Sequence, residues 1–322
     1  DVIPQRQFYS HWVKRYSNRG NKICVIISDA FRYEAAEEMI GRINGEKRYQ
    51  ASLSHMLSSL PSYTQLGMAS LLPSNGGAFT ISEKDGTVSI DGVSTQGTAN
   101  RDKLIKAALG ETACAQQAKS ILDMTQTEGR ELFRNHDVIY IYHNRIDHAG
   151  DKMQSEGEAF DATERTFEDL MTLIKKLAAY NASNILITAD HGFIYQNKPL
   201  DESDFLSADA NGDVHYRDRR FLLGKGLSAP DSLKVFSAEQ LGLSGDVHAA
   251  IPKGIQRLRL SGSGSRFVHG GATLQEVIVP VISVNKSRQD DVAIVEVDLL
   301  RGPTNIISAG QLSVTLYQTE AI

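Results

Sequence analysis

The chain has 322 residues, of which 41% are hydrophobic and 23% are charged, with 26 glycines and 8 prolines. These are ordinary values for a globular protein, and the length allows one large domain or two. The 34 basic and 39 acidic residues give a formal net charge of −5, which argues against a dedicated nucleic-acid-binding module but not against an enzyme that acts on DNA. No apolar stretch approaches the roughly 20 residues of a membrane helix, so we expect no membrane partner.

The cysteines and the first residues indicate the compartment and the extent of the chain. Cys24 and Cys114 form no metal-binding or redox pattern, which favours a reducing, cytoplasmic environment. The first four residues, Asp1 to Pro4, carry neither a signal peptide nor an initiator methionine. We therefore expect a piece of a longer protein, whose N-terminal and C-terminal parts are missing here.

Hydrophobic periodicity predicts strands that alternate with helices. In chain order, we predict a helix at 5–19, a strand at 22–28, helices at 32–43 and 66–72, a hairpin at 77–92, helices at 101–109 and 127–134, a strand at 137–142, a helix at 158–180, and strands at 184–189 and 277–284. The pattern leaves residues 52–60 unassigned. This alternation indicates an α/β sandwich with a mostly parallel central sheet flanked by helices.

The same pattern predicts the domain organisation. We expect residues 1–20 to be an N-terminal helix or linker and residues 21–288 to be the main domain. The hairpin at 77–92 and a polar loop at 201–226 are expected as insertions into it. Residues 289–322 are expected to start a separate, short C-terminal β element that is truncated, because residues 292–299 and 312–318 alternate like antiparallel strands.

Three predicted strands lead into metal-type ligands. Asp29 follows the first strand, Asp147 comes soon after the second, and Asp190-His191 follows the third. The carboxyl ends of parallel strands meet at the edge of the sheet where α/β folds bind ligands. Asp-His-Gly after a strand also suits a simple turn. Because three strand ends coincide, we favour a metal site.

Further residues extend this site to two ions. Asp151 follows Asp147 by one helical turn, and His269 precedes two glycines that allow close backbone approach. Two metals about 3.5–4 Å apart clamp the attacking and leaving oxygens of a phosphoryl displacement. Thr64, at the start of a short helix, is the candidate nucleophile, because a helix N-terminus also offers N–H groups to a phosphate. The alternative is that Thr64 is only a helix N-cap.

The order of these motifs resembles that of the alkaline phosphatase superfamily. The supporting stretches are Pro61-Ser-Tyr-Thr-Gln-Leu-Gly-Met-Ala-Ser-Leu-Leu-Pro73, Asp147-His-Ala-Gly-Asp151 and Ala189-Asp-His-Gly192. Within the superfamily, the chain is similar to the PglZ family, a component of bacteriophage-exclusion (BREX) systems. Asp29-Ala-Phe-Arg-Tyr-Glu34 and His269-Gly-Gly-Ala-Thr-Leu-Gln-Glu-Val-Ile-Val-Pro280 carry this narrower likeness, which covers roughly residues 22–285.

The resemblance implies a role for each ligand. One ion would be held by Asp29, Thr64, Asp190 and His191, and Thr64 would be transiently phosphorylated. The other ion would be held by Asp147, Asp151 and His269, and it would activate the hydrolytic water. Superfamily members commonly have histidine where this chain has Asp151, so His148 is the alternative ligand. With four carboxylates and two imidazoles, manganese or magnesium is expected to serve as well as zinc.

Weaker signals surround the site. Arg32, one turn after Asp29, is a candidate phosphate ligand, with an ion pair to Glu34 as the alternative. Asn144 is a candidate second substrate contact. The arginines at 217–220 are expected on a solvated face, with substrate contact as the alternative.

The resemblance implies a metal-dependent phosphoester hydrolase of a bacterial BREX phage-defence system, located in the cytoplasm. A threonine nucleophile resembles that of the diesterase branches of the superfamily, which implies a phosphodiesterase or nuclease, with a phosphoester such as DNA as substrate and other BREX components as partners. The alternatives are a phosphomonoesterase, and an assembly scaffold whose metal site is not essential.

Overall fold

The computed structural model describes residues 2–150, 155–207, 210–260, 264–287, 297–300 and 314–318. Its helices are α1 (Lys14–Ser17), α2 (Tyr33–Asn44), α3 (Thr64–Ser70), α4 (Gly97–Leu109), α5 (Ala118–Asp123), α6 (Gln126–Asn135), α7 (Ile146–Gly150), α8 (Ala159–Ala179) and α9 (Leu274–Val277). Short 3₁₀ or π turns are Gln5–Gln7, Tyr9–Val13, Glu156–Glu158 and Glu202–Asp204.

The strands are β1 (Ile23–Ser28), β2 (Tyr49–Leu57), β3 (Phe79–Ile81), β4 (Val88–Ile90), β5 (Val93–Ser94), β6 (Ala113–Gln117), β7 (Val138–His143), β8 (Asn184–Thr188), β9 (Ile194–Tyr195), β10 (Phe205–Leu206), β11 (Asn211–Arg217), β12 (Leu222–Ser228), β13 (Leu233–Phe236), β14 (His248–Pro252), β15 (Arg257–Leu258), β16 (Phe267–Val268), β17 (Ile278–Lys286), β18 (Val297–Leu300) and β19 (Thr315–Gln318). The chain divides into two compact units, Asp1–Lys286 and Ser287–Ile322.

A six-stranded central sheet organises the first unit, in the order β2-β17-β8-β1-β7-β6. The neighbours β8, β1, β7 and β6 pair in parallel, whereas β17 runs antiparallel to both β8 and β2. Every residue of β1 and β7 is buried, because helices cover both faces of a parallel sheet. This confirms the predicted α/β fold with a mostly parallel central sheet. The unassigned stretch around 52–60 supplies the edge strand β2.

The direction of β17 matters for the site. Its first residue, Ile278, pairs with Leu57 at the end of β2, and Val281 pairs with Thr188 at the end of β8. The antiparallel strand therefore starts at the edge where its parallel neighbours finish. Residues just before β17 consequently lie at the carboxyl edge of the sheet, together with those that follow β1, β7 and β8.

The N-terminal residues pack into the same core. Residues 5–17 form successive 3₁₀, π and α turns instead of the single predicted helix. Phe8, Trp12 and Val13 are all buried within them. These aromatic and apolar side chains anchor the segment to the unit that contains the sheet.

The polar stretch at 201–226, predicted as a loop, contains strands. Its β11 and β12 belong to a four-stranded antiparallel sheet in the order β11-β12-β14-β13. A second hydrophobic cluster, which includes Leu222, Leu227 and Leu233, supports this sheet. The prediction missed β11 because its side chains are exposed or only half-buried, so no apolar run marks it.

The predicted hairpin at 77–92 and the predicted C-terminal β element are also present in part. β3 and β4 form an antiparallel pair whose connection, residues 82–87, is longer than a two-residue turn. In the second unit, β18 pairs with β19 in antiparallel fashion. Residues 292–296 and 312–313 of the two strands predicted there lie outside the described residues. None of the described helices combines the length and the apolar composition needed to cross a bilayer.

Replacing Gly67 by alanine tests how closely α3 must approach the end of β8. A Cβ at Gly67 would lie 2.4 Å from the backbone oxygen of Asp190, so α3 would have to move away. We expect Gly67→Ala to lower the free energy of unfolding by roughly 1–3 kcal/mol. Gly41→Ala in α2 is the matched control, because a Cβ there meets nothing within 4 Å. Its better helix propensity should raise stability by up to about 1 kcal/mol. Urea denaturation compares the two variants, and equal effects would contradict the prediction.

Candidate metal centre

A first group of ligand-type side chains lies where β1 and β8 end. Asp29 follows β1, and Asp190 and His191 follow β8, with all three side chains buried. One ligand atom from each lies within 4.8 Å of the others. The His191 Nε2 atom is 3.6 Å from Asp29 Oδ1 and 3.4 Å from Asp190 Oδ2. The backbone N–H of Ala30 donates to Asp190 Oδ1 at 3.2 Å and so joins the two strand ends.

Thr64 lies against this group. It is the first residue of α3, whose N-cap position is occupied by Tyr63, so the alternative that Thr64 serves only as an N-cap does not hold. The Thr64 Oγ1 atom is 3.0 Å from His191 Nε2. The other ring nitrogen, Nδ1, is 2.9 Å from the carbonyl oxygen of Gly192 and must donate to it. The Nε2 atom therefore faces Thr64 and the carboxylates, and in the neutral ring it carries the lone pair.

A second group shares His191 with the first. One ligand atom each from Asp147, His191 and His269 lies within 4.8 Å of the others. The Nε2 atom of His269 is 3.6 Å from Asp147 Oδ1, and the imidazoles of His191 and His269 stack with centroids 4.0 Å apart. Asp147 is carried by α7, directly after β7, and His269 by the loop before β17. The structure thus brings six of the seven predicted ligands together.

The fourth ligand of the second ion stays a prediction. Asp151 lies outside the described residues. The alternative ligand, His148, is exposed and belongs to neither group of ligand atoms within the described ranges. Its backbone N–H donates to the Oδ1 atom of Asn144 at 3.0 Å.

The carboxylates of the site are held in an unfavourable electrostatic environment. Burial, followed by the nearby charges of Asp147 and Asp190, raises the pKa of Asp29 well above its usual value. Burial raises the pKa of Asp190 to about 6, although the Ala30 N–H bond and His269 oppose this shift. The Arg101 guanidinium in α4, which sequence reasoning did not single out, lowers the pKa of Asp29 by a smaller amount.

This donor set fits divalent cations. Asp29 Oδ1 and Asp190 Oδ2 are buried and have no hydrogen-bond partner among the described residues. Buried polar atoms are normally satisfied, so these two oxygens call for a partner that the described residues do not supply. Carboxylate oxygens and neutral imidazole nitrogens are ligands for zinc and manganese alike. Divalent cations would also relieve the repulsion among the three carboxylates.

A buried ion pair supports the loop that carries His269. Arg220 and Glu276 are both fully buried, and the guanidinium donates two bonds of 2.9 Å to the carboxylate. Glu276 also accepts the Gly271 N–H at 2.8 Å, and its backbone oxygen accepts the Gly192 N–H at 2.9 Å. Burial alone would raise the pKa of Glu276, but Arg220 outweighs it and holds that pKa below its usual value. One pair thus fixes residues beside both His191 and His269.

The prediction of a solvated arginine cluster is therefore wrong in two of its three positions. Arg217 is exposed, but Arg219 and Arg220 are buried. The signal that sequence reasoning missed is the Thr273-x-x-Glu276 pattern, which forms a capping box at the start of α9. A buried Glu at this position requires a cationic partner from elsewhere in the chain.

The two candidate substrate contacts each have partners within the described part of the chain. Arg32 pairs with Glu34, with 3.1 Å between Nε and Oε2, and its guanidinium lies over the ring of Phe193. Asn144 is exposed, and its Oδ1 accepts the His148 N–H. Each lines a cavity, of 390 Å³ for Arg32 and 720 Å³ for Asn144. Substrate contact by either residue remains a prediction.

Fold and site together define an alkaline-phosphatase-like protein. The fold is similar to phosphonoacetate hydrolase from Sinorhizobium meliloti 1021, with a TM-score of 0.51 and 14% identity over 85% of this chain and 91% of that one. It is also similar to murine ectonucleotide pyrophosphatase/phosphodiesterase 5, solved as an inactive variant in complex with AMP, with a TM-score of 0.51 and 12% identity over 82% and 88% of the two chains. At such identities, the likeness concerns the fold alone.

Sequence comparison narrows the class to one family. Residues 8–284 match the BREX system PglZ alkaline phosphatase-like domain, so the match includes N-terminal turns that lie outside the resemblance inferred from motifs. The chain is 40% identical over 312 residues to the alkaline phosphatase-like protein BrxZ of Escherichia coli O9:H4 (strain HS), covering 95% of this chain and 35% of that protein. It is 37% identical over 328 residues to the alkaline phosphatase-like protein PglZ of Bacillus cereus (strain H3081.97), covering 99% and 37%. The chain belongs to the PglZ family and spans little more than a third of the length of these relatives.

Replacing the carboxylate of Asp190 should stabilise the metal-free protein but weaken its stabilisation by metal. Burial raises the folded-state pKa of Asp190 to about 6, so folding favours the protonated carboxyl group. The stability that this group contributes is fully present below the unfolded-state pKa and is lost as pH rises through about 6. In chelator-treated protein at pH 8, we expect Asp190→Asn to raise the free energy of unfolding by roughly 1–3 kcal/mol. The same change should reduce the gain in melting temperature that Zn²⁺ or Mn²⁺ gives the unmodified protein. A variant less stable than the chelated parent at pH 8 would contradict this account.

Breaking the buried ion pair should cost far more than breaking an exposed one. Glu276→Ala leaves the Arg220 guanidinium buried without its counter-charge, and we expect a loss of about 3–5 kcal/mol in the free energy of unfolding. Asp123→Ala is the matched control, because its pair with Lys119 is exposed and is worth about 0–1 kcal/mol. Denaturant titration of both variants measures the difference. Similar losses would show that the Arg220–Glu276 pair does not stabilise the fold.

Proposed function

We propose that this domain is a metal-dependent phosphodiesterase that cleaves nucleic acid in a bacterial BREX phage-defence system. The observation that carries the proposal is the position of the Thr64 hydroxyl, 3.0 Å from the Nε2 atom of a histidine that belongs to both ligand groups. A hydroxyl in that position can act as a nucleophile only if it loses its proton. His191, with its Nδ1–H donated to Gly192, has only its Nε2 lone pair free, and that lone pair lies beside the hydroxyl. The same lone pair would bind an ion, so the ion rather than His191 would promote the loss of the Thr64 proton.

The proposed ligand sets follow the two groups of side chains. Asp29, Thr64, Asp190 and His191 would hold one ion. The other would be held by Asp147, His269 and the predicted ligand Asp151. When bound, two such ions supply an activated hydroxyl and water at neutral pH and neutralise charge that develops on the phosphate oxygens.

Thr64 would act in two displacements. In the first, its Oγ1 atom bonds to phosphorus while the bond to the leaving oxygen breaks, giving a phosphorylated threonine. In the second, water attacks phosphorus and Thr64 leaves as the free hydroxyl. Because α3 packs so tightly on Asp190 that Gly67 has no room for a Cβ, the backbone holds the nucleophile close to the ligands throughout.

The arginines near the site favour a diester over a monoester. A monoester carries a second negative charge, which calls for an additional cation. Arg32 is already paired with Glu34, and the Arg101 Nε atom donates to the backbone oxygen of Thr95 at 2.9 Å. One of the proteins of similar fold is named as a phosphodiesterase, which is in keeping with a diester substrate.

Nucleic acid is the diester that a phage-defence protein would meet. The net charge of this chain is −5, so its own surface offers little general attraction to DNA. We propose that other parts of the full-length protein, or other BREX components, supply the contacts to DNA. We further propose that the protein acts in the bacterial cytoplasm, in keeping with Cys24 and Cys114, which are both free thiols.

Replacing Thr64 tests the nucleophile. In the presence of Mn²⁺ or Zn²⁺, we expect Thr64→Ala to lower the hydrolysis of bis-p-nitrophenyl phosphate at least about 100-fold, because no hydroxyl remains to attack phosphorus. Thr64→Ser keeps a hydroxyl and should retain much of the rate. The unmodified protein should prefer bis-p-nitrophenyl phosphate to p-nitrophenyl phosphate, and release of p-nitrophenolate follows both reactions.

Thr80→Ala is the control, since Thr80 is exposed on β3 and its loss should leave the rate unchanged. A Thr64→Ala protein that is folded and hydrolyses the diester normally would rule out the threonine mechanism. Preference for the monoester would replace the phosphodiesterase by a phosphomonoesterase. If a folded Thr64→Ala variant of the full-length protein still supports phage defence, the domain acts as a scaffold.

A further inference from the structure

We propose that Gln5 is a positioning residue. It fixes the nucleophile loop, residues 58–63, which lead into α3 and Thr64, relative to the end of strand β8. The inference rests on the proposed function, because it concerns the placement of Thr64 relative to Asp190 and His191. Gln5 begins the first 3₁₀ turn and is fully buried. It lies upstream of the family match at 8–284 and carries no ligand role itself.

The side-chain amide of Gln5 contacts both sides of the site. Its Nε2 atom donates to the backbone oxygen of Asp190 at 2.7 Å and lies 3.3 Å from that of Ala189. Its Oε1 atom accepts the backbone N–H of Ser59 at 3.0 Å and lies 3.4 Å from the hydroxyl of Ser58. The first pair belongs to the end of β8. The second begins the loop, residues 58–63, that leads into α3 and Thr64.

The chemistry of an amide suits this position. A glutamine offers two donor hydrogens and one oxygen with two lone pairs, and here each end faces partners of the opposite kind. A glutamate would face two carbonyl oxygens with a carboxylate, and an apolar side chain would leave the Asp190 oxygen and the Ser59 N–H with fewer partners. Buried polar groups are retained only when they are satisfied, as this amide is.

The contacts of Gln5 are to the two segments that lead to the proposed ligand His191 and to the proposed nucleophile. The Asp190 oxygen belongs to the same peptide group as the N–H of His191, so the bond to Gln5 fixes the peptide between two ligands. Ser58 reinforces it, because its hydroxyl lies 3.1 Å from the same oxygen. Beside them, the Leu57 N–H donates to the Ile3 oxygen at 2.9 Å and docks the N-terminal segment onto the end of β2. These bonds therefore connect the peptide group between Asp190 and His191 to the loop at residues 58–63.

The test compares two amide side chains at opposite ends of β8. Gln5→Met keeps the length of the side chain but removes its hydrogen bonds at the site. Asn184→Leu is the matched control, because the Asn184 amide donates to the Lys22 backbone oxygen at 2.9 Å at the far end of the same strand. Both changes should lower the melting temperature. The melting temperature and the Mn²⁺ affinity of each protein are measured first. The values of kcat and KM for bis-p-nitrophenyl phosphate are then measured at saturating Mn²⁺.

We expect Gln5→Met to lower kcat about 10-fold with KM little changed, because the loss of a supporting hydrogen bond displaces the nucleophile relative to the ligands. Asn184→Leu should leave kcat unchanged. If Gln5→Met does not fold, Ser58→Ala replaces it, and a fall in kcat of several-fold is expected. Equal kcat values for the site variant and the Asn184→Leu control would overturn the proposal.

The two proposals can fail separately. If the unmodified protein hydrolyses the diester and Gln5→Met does so equally well, only the positioning role fails. If the unmodified protein has no hydrolytic activity, the proposed function fails, and Mn²⁺ affinity alone decides the role of Gln5. A weaker affinity in Gln5→Met than in Asn184→Leu would then support positioning of the ligands, and equal affinities would overturn it.

Discussion

Repulsion between buried carboxylates is the constraint that the structure around the site has to accommodate. Asp29, Asp147 and Asp190 meet at one edge of the central sheet, and burial together with their mutual charges raises the pKa of Asp29. Such a cluster is stable only when protonated or when cations bind to it. Two of the strands that lead to it, β1 and β7, are buried along their whole length.

Neutral or paired groups hold the cluster from outside without adding charge to it. Gln5 bonds to the backbone of Asp190, and the hydroxyl of Ser62 donates to the Gly271 oxygen at 2.6 Å. Arg220 and Glu276 neutralise each other's charge, and Glu276 accepts the N–H groups of Gly192 and Gly271. The nucleophile loop, the end of β8 and the loop before β17 are therefore tied to one another by hydrogen bonds. The site depends on this arrangement as much as on its ligands.

The antiparallel direction of β17 explains how His269 joins the site. In a fully parallel sheet, the loop before a strand lies at the amino edge, away from the ligands that follow the other strands. Since β17 runs against β8 and β2, its preceding loop starts at the carboxyl edge. The stacked rings of His191 and His269 then allow the two ligand groups to share one histidine. The closeness of the two ligand groups follows from that topology.

Local patterns in the sequence were sufficient to predict much of the central sheet and a ligand site at its edge. Continuous apolar runs predicted β1, β7 and β8, and the acidic residues that follow them predicted a ligand site at the carboxyl edge, because both signals lie within a few neighbouring residues. Only the tertiary structure decided the direction of β17, the strands in the polar stretch at 201–226 and the burial of Arg219 and Arg220. It also decided the role inferred for Gln5, which reaches Asp190 across 185 positions of the chain. Contacts between distant segments leave no periodic or local signature, and for that reason the sequence alone did not reveal them.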